Sequence, residues 1–151
     1  MKLVKTIYFD AAHKLNDYLG KCSNIHGHTW KVEISIKIPK MDVEKTSLFN
    51  GILLDFTIMK SVENIFDHKY LNDVITINPT AENLSSIICL MVAEFMNKRL
   101  ISLGLDYPRL QCDVYVKLWE SKSSYVKVNN KEAQCWLGLD ARYTYKRFMK
   151  K

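Results

Sequence analysis

The sequence predicts an α+β fold with the element order ββααββ. Two segments near the N-terminus and two near the C-terminus are rich in β-branched and aromatic residues, and the clearest of them alternate apolar with polar residues at the strand period of two. Between these pairs lie two segments whose apolar residues recur at helical spacing. Strands grouped with strands and helices with helices point to a sheet with a separate helix layer rather than a strictly alternating parallel sheet.

The first strand covers residues 2–9, with Val4 to Phe9 carrying the β-branched and aromatic types. Residues 10–28 hold Asp, Asn, Gly, Ser and three of the four histidines, which predicts a loop rich in functional groups. Residues 29–38 form the clearest strand: Trp30, Val32, Ile34, Ile36 and Ile38 face one way, and Lys31, Glu33, Ser35 and Lys37 the other. Such alternation fits a half-buried antiparallel strand paired with the first. Residues 39–51, with Pro, Asp, Asn and Gly, read as a turn or modest insertion.

A helix is expected from Asp55, a good N-cap, with Phe56, Met59, Val62, Ile65 and Phe66 on its apolar face. Asp67 to Pro79 reads as a second loop, broken at Asn72-Asp73 and Asn78-Pro79. A longer helix starts around Thr80 and buries a stripe of Leu84, Ile87, Ile88, Met91, Phe95 and Leu100, closing at Gly104 and Pro108. Residues 110–118 alternate through Leu110, Cys112, Val114, Val116 and Leu118, and 124–128 complete the strands. From about 131 the chain is aromatic and basic without a firm period.

At 151 residues, 48% hydrophobic and 25% charged, the chain is long and apolar enough for one domain with its own core, and disorder is excluded. No apolar run approaches the ~18–20 residues of a membrane span. Met1-Lys2-Leu3-Val4-Lys5 runs directly into strand-like sequence without the apolar block of a signal peptide, so the cytoplasm is the expected compartment. With 22 Lys+Arg against 16 Asp+Glu the net charge is +6 and the pI about 9.1. That balance attracts anions, among which a phosphorylated small molecule serves as well as a nucleic acid. Part of the charge sits at the C-terminal end, in Arg142, Lys146, Arg147, Lys150 and Lys151.

Cys22, Cys89, Cys112 and Cys135 are too widely spaced for a disulfide framework. Cys89 and Cys112 fall in apolar periodic stretches and read as small buried hydrophobes; Cys135 is undecided. Cys22 differs. Its neighbours Gly20, Lys21, Ser23 and Asn24 make a polar loop with an adjacent cation, a setting that favours the thiolate.

His13, His26 and His28 lie within one short stretch. In His26-Gly27-His28 the two imidazoles, two residues apart on a strand, share a face, and Gly27 relieves crowding between them. A hairpin returns the end of the first strand, with His13, beside them. Three neutral nitrogens suit a divalent ion such as zinc (Zn2+), with a fourth position left for water or substrate. The competing arrangement is a closed structural site in which Cys22 supplies the fourth ligand. Asp67-His68 adds a carboxylate that can orient an imidazole and stabilise its cation, although a histidine at a helix C-terminus also satisfies the helix dipole.

Phe9-Asp10-Ala11-Ala12-His13, Cys22-Ser23-Asn24-Ile25-His26-Gly27-His28, Asp67-His68-Lys69-Tyr70-Leu71-Asn72, Pro79-Thr80-Ala81-Glu82-Asn83 and Leu118-Trp119-Glu120 follow one another in an order and spacing that resembles the 6-pyruvoyl-tetrahydropterin synthase family, over about residues 3–128. The resemblance implies the tunnelling fold: an antiparallel sheet with two helices on one face, whose subunits join into a multimeric β-barrel, as a homo-oligomer expected to be a hexamer with active sites between subunits. It implies zinc on His13, His26 and His28, Cys22 as the catalytic thiol, and Asp67 and His68 as its partners in proton transfer. It further implies Glu120 as the carboxylate that holds the pterin ring, with Thr80 and Glu82 lining the pterin pocket. Helix capping and first-turn dipole pairing account for Thr80 and Glu82 as well.

Three residues separate Cys22 from His26, which is similar to the branch that makes 6-carboxy-5,6,7,8-tetrahydropterin for 7-deazapurines such as queuosine; the 6-pyruvoyl branch has five. A folate-linked branch carries a glutamate near the cysteine, which neither Ser23 nor Asn24 supplies. The implied substrate is 7,8-dihydroneopterin triphosphate, and no nucleic-acid or membrane partner is implied. Three readings compete: triphosphate elimination to 6-pyruvoyl-tetrahydropterin; a zinc-stabilised nucleic-acid-binding module suggested by the basic pI; and a catalytically idle relative kept as a partner protein, against which the intact Cys22, Asp67, His68 and Glu120 count. Taken as one domain over 1–151, the chain has a C-terminal extension from about 129 that is longer than the family's usual ending. Trp136, Tyr143, Tyr145 and Phe148 give it material to pack on something, a neighbouring subunit included.

Overall fold

The computed structural model describes residues 1–38, 53–104, 112–138 and 145–150. The elements are β1 (Lys2–His13), β2 (His26–Lys37), α1 (Lys60–Phe66), β3 (Lys69–Tyr70), α2 (Leu71–Val74), α3 (Ala81–Ser102), β4 (Asp113–Trp119), β5 (Tyr125–Asn129) and α4 (Asn130–Trp136). Single 3-10 turns lie at Lys21–Ser23, Phe56–Met59 and Tyr145–Phe148. The segment expected as a turn or insertion at 39–51 lies outside the described residues, as do Pro108, Leu110 and Tyr143.

The sheet has the order β3-β1-β2-β4-β5. β1 and β2 pair antiparallel along their whole length, from Lys2 opposite Lys37 to His13 opposite His26. Both strands run further than the sequence indicates, so the loop expected at 10–28 shrinks to 14–25. The reason is that Ala11, Ala12 and Gly27 carry little strand propensity but complete a ladder that long-range pairing extends. β3 runs parallel to β1, with Ala11 opposite Lys69 and Ala12 opposite Tyr70, which corrects the purely antiparallel expectation to a mixed sheet. A two-residue strand has no period to read. Its entry is set by His68, whose φ of 55° turns the chain and whose N–H donates to the Asp10 carbonyl at 2.7 Å.

One face of the sheet is the core. Ile7, Phe9, Ala11 and His13 of β1, Trp30, Val32, Ile34 and Ile36 of β2, and Val114, Val116 and Leu118 of β4 are all buried there. Val62 and Phe66 of α1 and Leu84, Ile87, Ile88 and Met91 of α3 close over them, so both helices cover the same face. Each buried Val, Leu, Ile, Phe or Met among them contributes roughly 1.5–3 kcal/mol by leaving water.

The helix start predicted at Asp55 is a 3-10 turn, in which the Asp55 carboxylate accepts from the Thr57 N–H at 2.8 Å. α3 is capped by Thr80, whose hydroxyl accepts from the Asn83 N–H, and its end is followed by Gly104 at a φ of 67°, as the sequence indicates. Its burial differs from the expected stripe: every residue from Leu84 to Val92 is buried, Ser85 and Ser86 included. α3 packs against β4 and β5 and also against α4 and the Tyr145–Phe148 turn, so the C-terminal region covers what would have been a solvent face. Helix α4 escaped the sequence reading because only Ala133 of its seven residues is buried. An Asn129–Glu132 capping box starts it. The extension packs on its own chain: Phe148 joins the core and Met149 bridges Ile75. Among the described residues no helix is long and apolar enough to cross a membrane.

Candidate metal centre and active site

The hairpin register builds the centre. His13 and His26 are cross-strand partners, His28 lies opposite Ala11, and alternation puts all three imidazoles on the core side of the sheet. Their ring centroids are 4.5 Å (His13–His26), 5.2 Å (His13–His28) and 5.0 Å (His26–His28) apart. One nitrogen from each lies within 4.8 Å of the others, which makes them a metal-competent cluster. Trp30, two residues beyond His28 on the same face, stands edge-on to His13 at 5.1 Å and to His28 at 5.3 Å. The sequence alternation already contained that aromatic wall.

The ring tautomers follow from the hydrogen bonds. His13 Nδ1 lies 2.7 Å from the Pro79 carbonyl, and His26 Nδ1 lies 2.8 Å from the Asn24 carbonyl. A carbonyl only accepts, so each Nδ1 carries the proton and each Nε2 keeps its lone pair. His13 Nε2 and His28 Nε2 are buried with no hydrogen-bond partner, the condition of nitrogens awaiting an ion. Burial holds the His13 imidazole below its ordinary pKa, against the opposing pull of the Pro79 carbonyl and Glu120. Burial likewise lowers His28, again opposed by Glu120. Both therefore favour the neutral, ligating form. The residues present thus fit a divalent cation with three nitrogen donors.

Glu120 reaches the same place. In the β2–β4 register Lys31 lies opposite Trp119, so the next position sets Glu120 beside Trp30 on the histidine face. One carboxylate oxygen, Oε1, lies 3.5 Å from His13 Nε2 and 3.8 Å from His28 Nε2.

Asp67 and His68 stand at the β1–β3 edge. Asp67 Oδ2 is 2.9 Å from His68 Nδ1, and Asp67 Oδ1 accepts from the Asp10 N–H at 2.9 Å. That backbone bond, with the His68 contact adding to it, lowers the Asp67 carboxyl below the usual carboxylate range. His68 is otherwise open to solvent and shares with His28 an open cleft of about 600 Å³ that Asp10, Thr29 and Tyr70 also line. Cys22 sits half-buried in the 3-10 turn of the β1–β2 loop, and among the described residues no hydrogen bond or ion pair joins its thiol to the cluster or to Asp67–His68. The closed arrangement with Cys22 as fourth ligand is therefore absent from this chain's own geometry. Thr80 caps α3 and Glu82 lies in its first turn.

Sequence reading missed the backbone carbonyls of Pro79 and Asn24 and two asparagines that grip the loop after His13. Asn72 donates to and accepts from the Lys14 backbone, both at 3.0 Å. Asn78 does the same with Asn16, at 2.8 and 3.0 Å. Both asparagines read as turn residues in sequence, because nothing local announces a partner about 60 residues away.

Comparison with known proteins gives the chain a family. A family model described as 6-pyruvoyl tetrahydropterin synthase matches residues 2–131. A protein of Synechocystis named 6-carboxy-5,6,7,8-tetrahydropterin synthase is 32% identical over 92 residues, covering 57% of this chain and 70% of its own length. The protein of that name in Haemophilus influenzae is 34% identical over 77 residues, 48% of this chain, and this chain spans about half of it (52%). The solved 6-pyruvoyl tetrahydropterin synthase of Plasmodium falciparum superposes with a TM-score of 0.56 at 18% identity, over 85% of this chain and 97% of its own, a likeness of fold. With a family model spanning most of its length, the chain belongs to the 6-pyruvoyl tetrahydropterin synthase family.

Proposed function

We propose that the chain is a zinc-dependent 6-carboxy-5,6,7,8-tetrahydropterin synthase, which converts 7,8-dihydroneopterin triphosphate to 6-carboxytetrahydropterin with release of acetaldehyde and triphosphate. The observation that carries the reading is the set of converging histidines with unpartnered Nε2 atoms and Glu120 beside them. The Cys22–His26 spacing and the names of the relatives support the 6-carboxy branch.

When bound on His13, His26 and His28, the cation supplies charge that polarises the substrate side-chain oxygens and eases loss of a carbon-bound proton. Cys22 takes and returns protons at Sγ. Asp67 holds the Nδ1–H of His68 and stabilises its cation, so that Nε2 exchanges a proton with the substrate. Glu120 accepts two parallel hydrogen bonds from the guanidine-like edge of the pterin, a pairing only a carboxylate makes. Thr80 and Glu82 border that pocket.

Some of these groups act across a subunit boundary in this reading. Among the described residues β5 ends the sheet and β3 covers β1 only at Ala11 and Ala12, which leaves two strand edges for pairing between copies in a barrel-forming homo-oligomer. Light scattering on the eluting peak tests the assembly.

The decisive assay is anaerobic turnover of the triphosphate with the products identified by mass. Acetaldehyde and 6-carboxytetrahydropterin support the proposal. Triphosphate release with a 6-pyruvoyl product would move the chain to the sister activity, and no turnover of the metal-loaded protein would refute both. Cys22→Ala is expected to keep the metal and lose acetaldehyde release.

A further inference from the structure

The C-terminal helix lies beyond most of the stretch shared with the family, yet hydrogen bonds lead from it to the Asn78–Pro79 backbone, which in turn meets a candidate metal ligand. Trp136 Nε1 donates to Asn83 Oδ1 at 2.8 Å. The other end of that amide, Asn83 Nδ2, donates to the Asn78 carbonyl at 2.9 Å. An indole N–H can only donate and a carbonyl can only accept, so these two partners fix the orientation of the Asn83 amide. Asn78 in turn holds the Asn16 backbone through both ends of its side chain. Pro79, the next residue, presents its carbonyl to His13 Nδ1 at 2.7 Å.

The bond to Pro79 sets which His13 nitrogen is free and where the ring points. Pro79 has no N–H of its own, so its neighbours must hold the segment in place. Thr80 N–H and Asn83 Nδ2 both converge on the Asn78 carbonyl, one residue before Pro79. Trp136 occupies the remaining end of the Asn83 amide. It remains 61% exposed, so its ring contributes little to the core, and its indole N–H is committed to Asn83. Trp136 sits on α4, whose place is fixed by the Asn129–Glu132 capping box and by Ala133, which is fully buried.

We propose that Trp136, acting through Asn83, is a positioning residue for the metal centre: it braces the Asn78–Pro79 segment and so holds His13 in its ligating tautomer and orientation. The inference rests on the metal-binding part of the functional reading and not on the substrate or product.

Trp136→Phe removes the N–H and keeps the aromatic bulk; Asn83→Ala removes the relay. Outer-sphere partners of a ligating histidine are worth about 10- to 100-fold in metal affinity, and the longer Trp136 route places its loss near the lower end, about tenfold. The full-length chain, stripped and reloaded with Zn2+ alone against a chromophoric chelator, is expected to bind about tenfold more weakly in Trp136→Phe and more weakly still in Asn83→Ala. The visible bands of the Co2+-substituted protein should shift in both variants, while the unfolding midpoint of the metal-free Trp136→Phe protein matches the parent. Unchanged Zn2+ affinity and Co2+ bands in Trp136→Phe would overturn the proposal, whatever Asn83→Ala shows. So would an affinity loss matched by an equal loss of stability in the metal-free Trp136→Phe protein, which marks a purely structural role. A wild-type protein that binds neither ion would sink the functional reading instead.

Discussion

His13 and His26 face each other directly across the end of the β1–β2 hairpin, with ring centroids 4.5 Å apart. The one is buried and tied to a distant carbonyl, and the other is partly open and tied to the carbonyl two residues before it. This asymmetry lets one proposed ligand be removed with little risk to the fold.

His26→Ala is expected to lower metal affinity by at least about 100-fold, since even outer-sphere changes reach that size. The ring is not part of the core, so the stability of the metal-free chain should stay within about 0.5 kcal/mol. Metal content after dialysis, measured by elemental mass spectrometry, and a thermal melt check the two halves. Full metal occupancy in the variant would remove His26 from the centre.

Glu120→Gln separates substrate holding from metal holding. A charge-assisted pair of hydrogen bonds is worth about 1.5–3 kcal/mol, so KM for the pterin should rise about ten- to hundredfold. Metal content should not change. Loss of the metal with KM intact would instead make Glu120 a ligand, a role its position 3.5 Å from His13 Nε2 also permits.

Asp67→Asn leaves the Asp10 N–H an acceptor and removes the charge beside His68. The proposed proton transfer predicts a fall in kcat of about 10²-fold with KM little changed. Steady-state kinetics read the split, and an unaltered kcat would exclude the pair from catalysis.

Burial holds the folded-state pKa values of His13 and His28 below the ordinary 6.5. The unfolded chain therefore binds more protons than the folded one as pH falls below 6.5, and stability rises with pH across that window. The metal-free protein should melt at a lower temperature at pH 5 than at pH 7.5, and bound metal should steepen the dependence. A melting temperature independent of pH between these values would contradict the burial argument.

The thiols should divide by exposure. Burial pushes the Cys89 thiol up to about 12 and raises Cys112 as well. Iodoacetamide at pH 8 on the native protein is expected to label Cys22 and Cys135 and spare Cys89 and Cys112. Peptide mass mapping gives the pattern, and early labelling of Cys89 would mean that α3 opens readily.

Alternation in β2 was sufficient to place His26, His28 and Trp30 on one face, and Asp-His adjacency was sufficient to pair Asp67 with His68, because both relations are local and have a period or a neighbour to read. The histidine cluster was legible for that reason. Tertiary structure alone decided that Pro79, 66 residues from His13, orients its ring, that β3 makes the sheet mixed, and that Glu120 comes within reach of two histidines. It also decided that α3 is buried where a solvent face was expected, because α4 and the returning tail cover it. A strand's period states which face each side chain takes. It carries no information about which distant carbonyl, strand or helix will arrive at that face, since those partners are selected by packing of the whole chain.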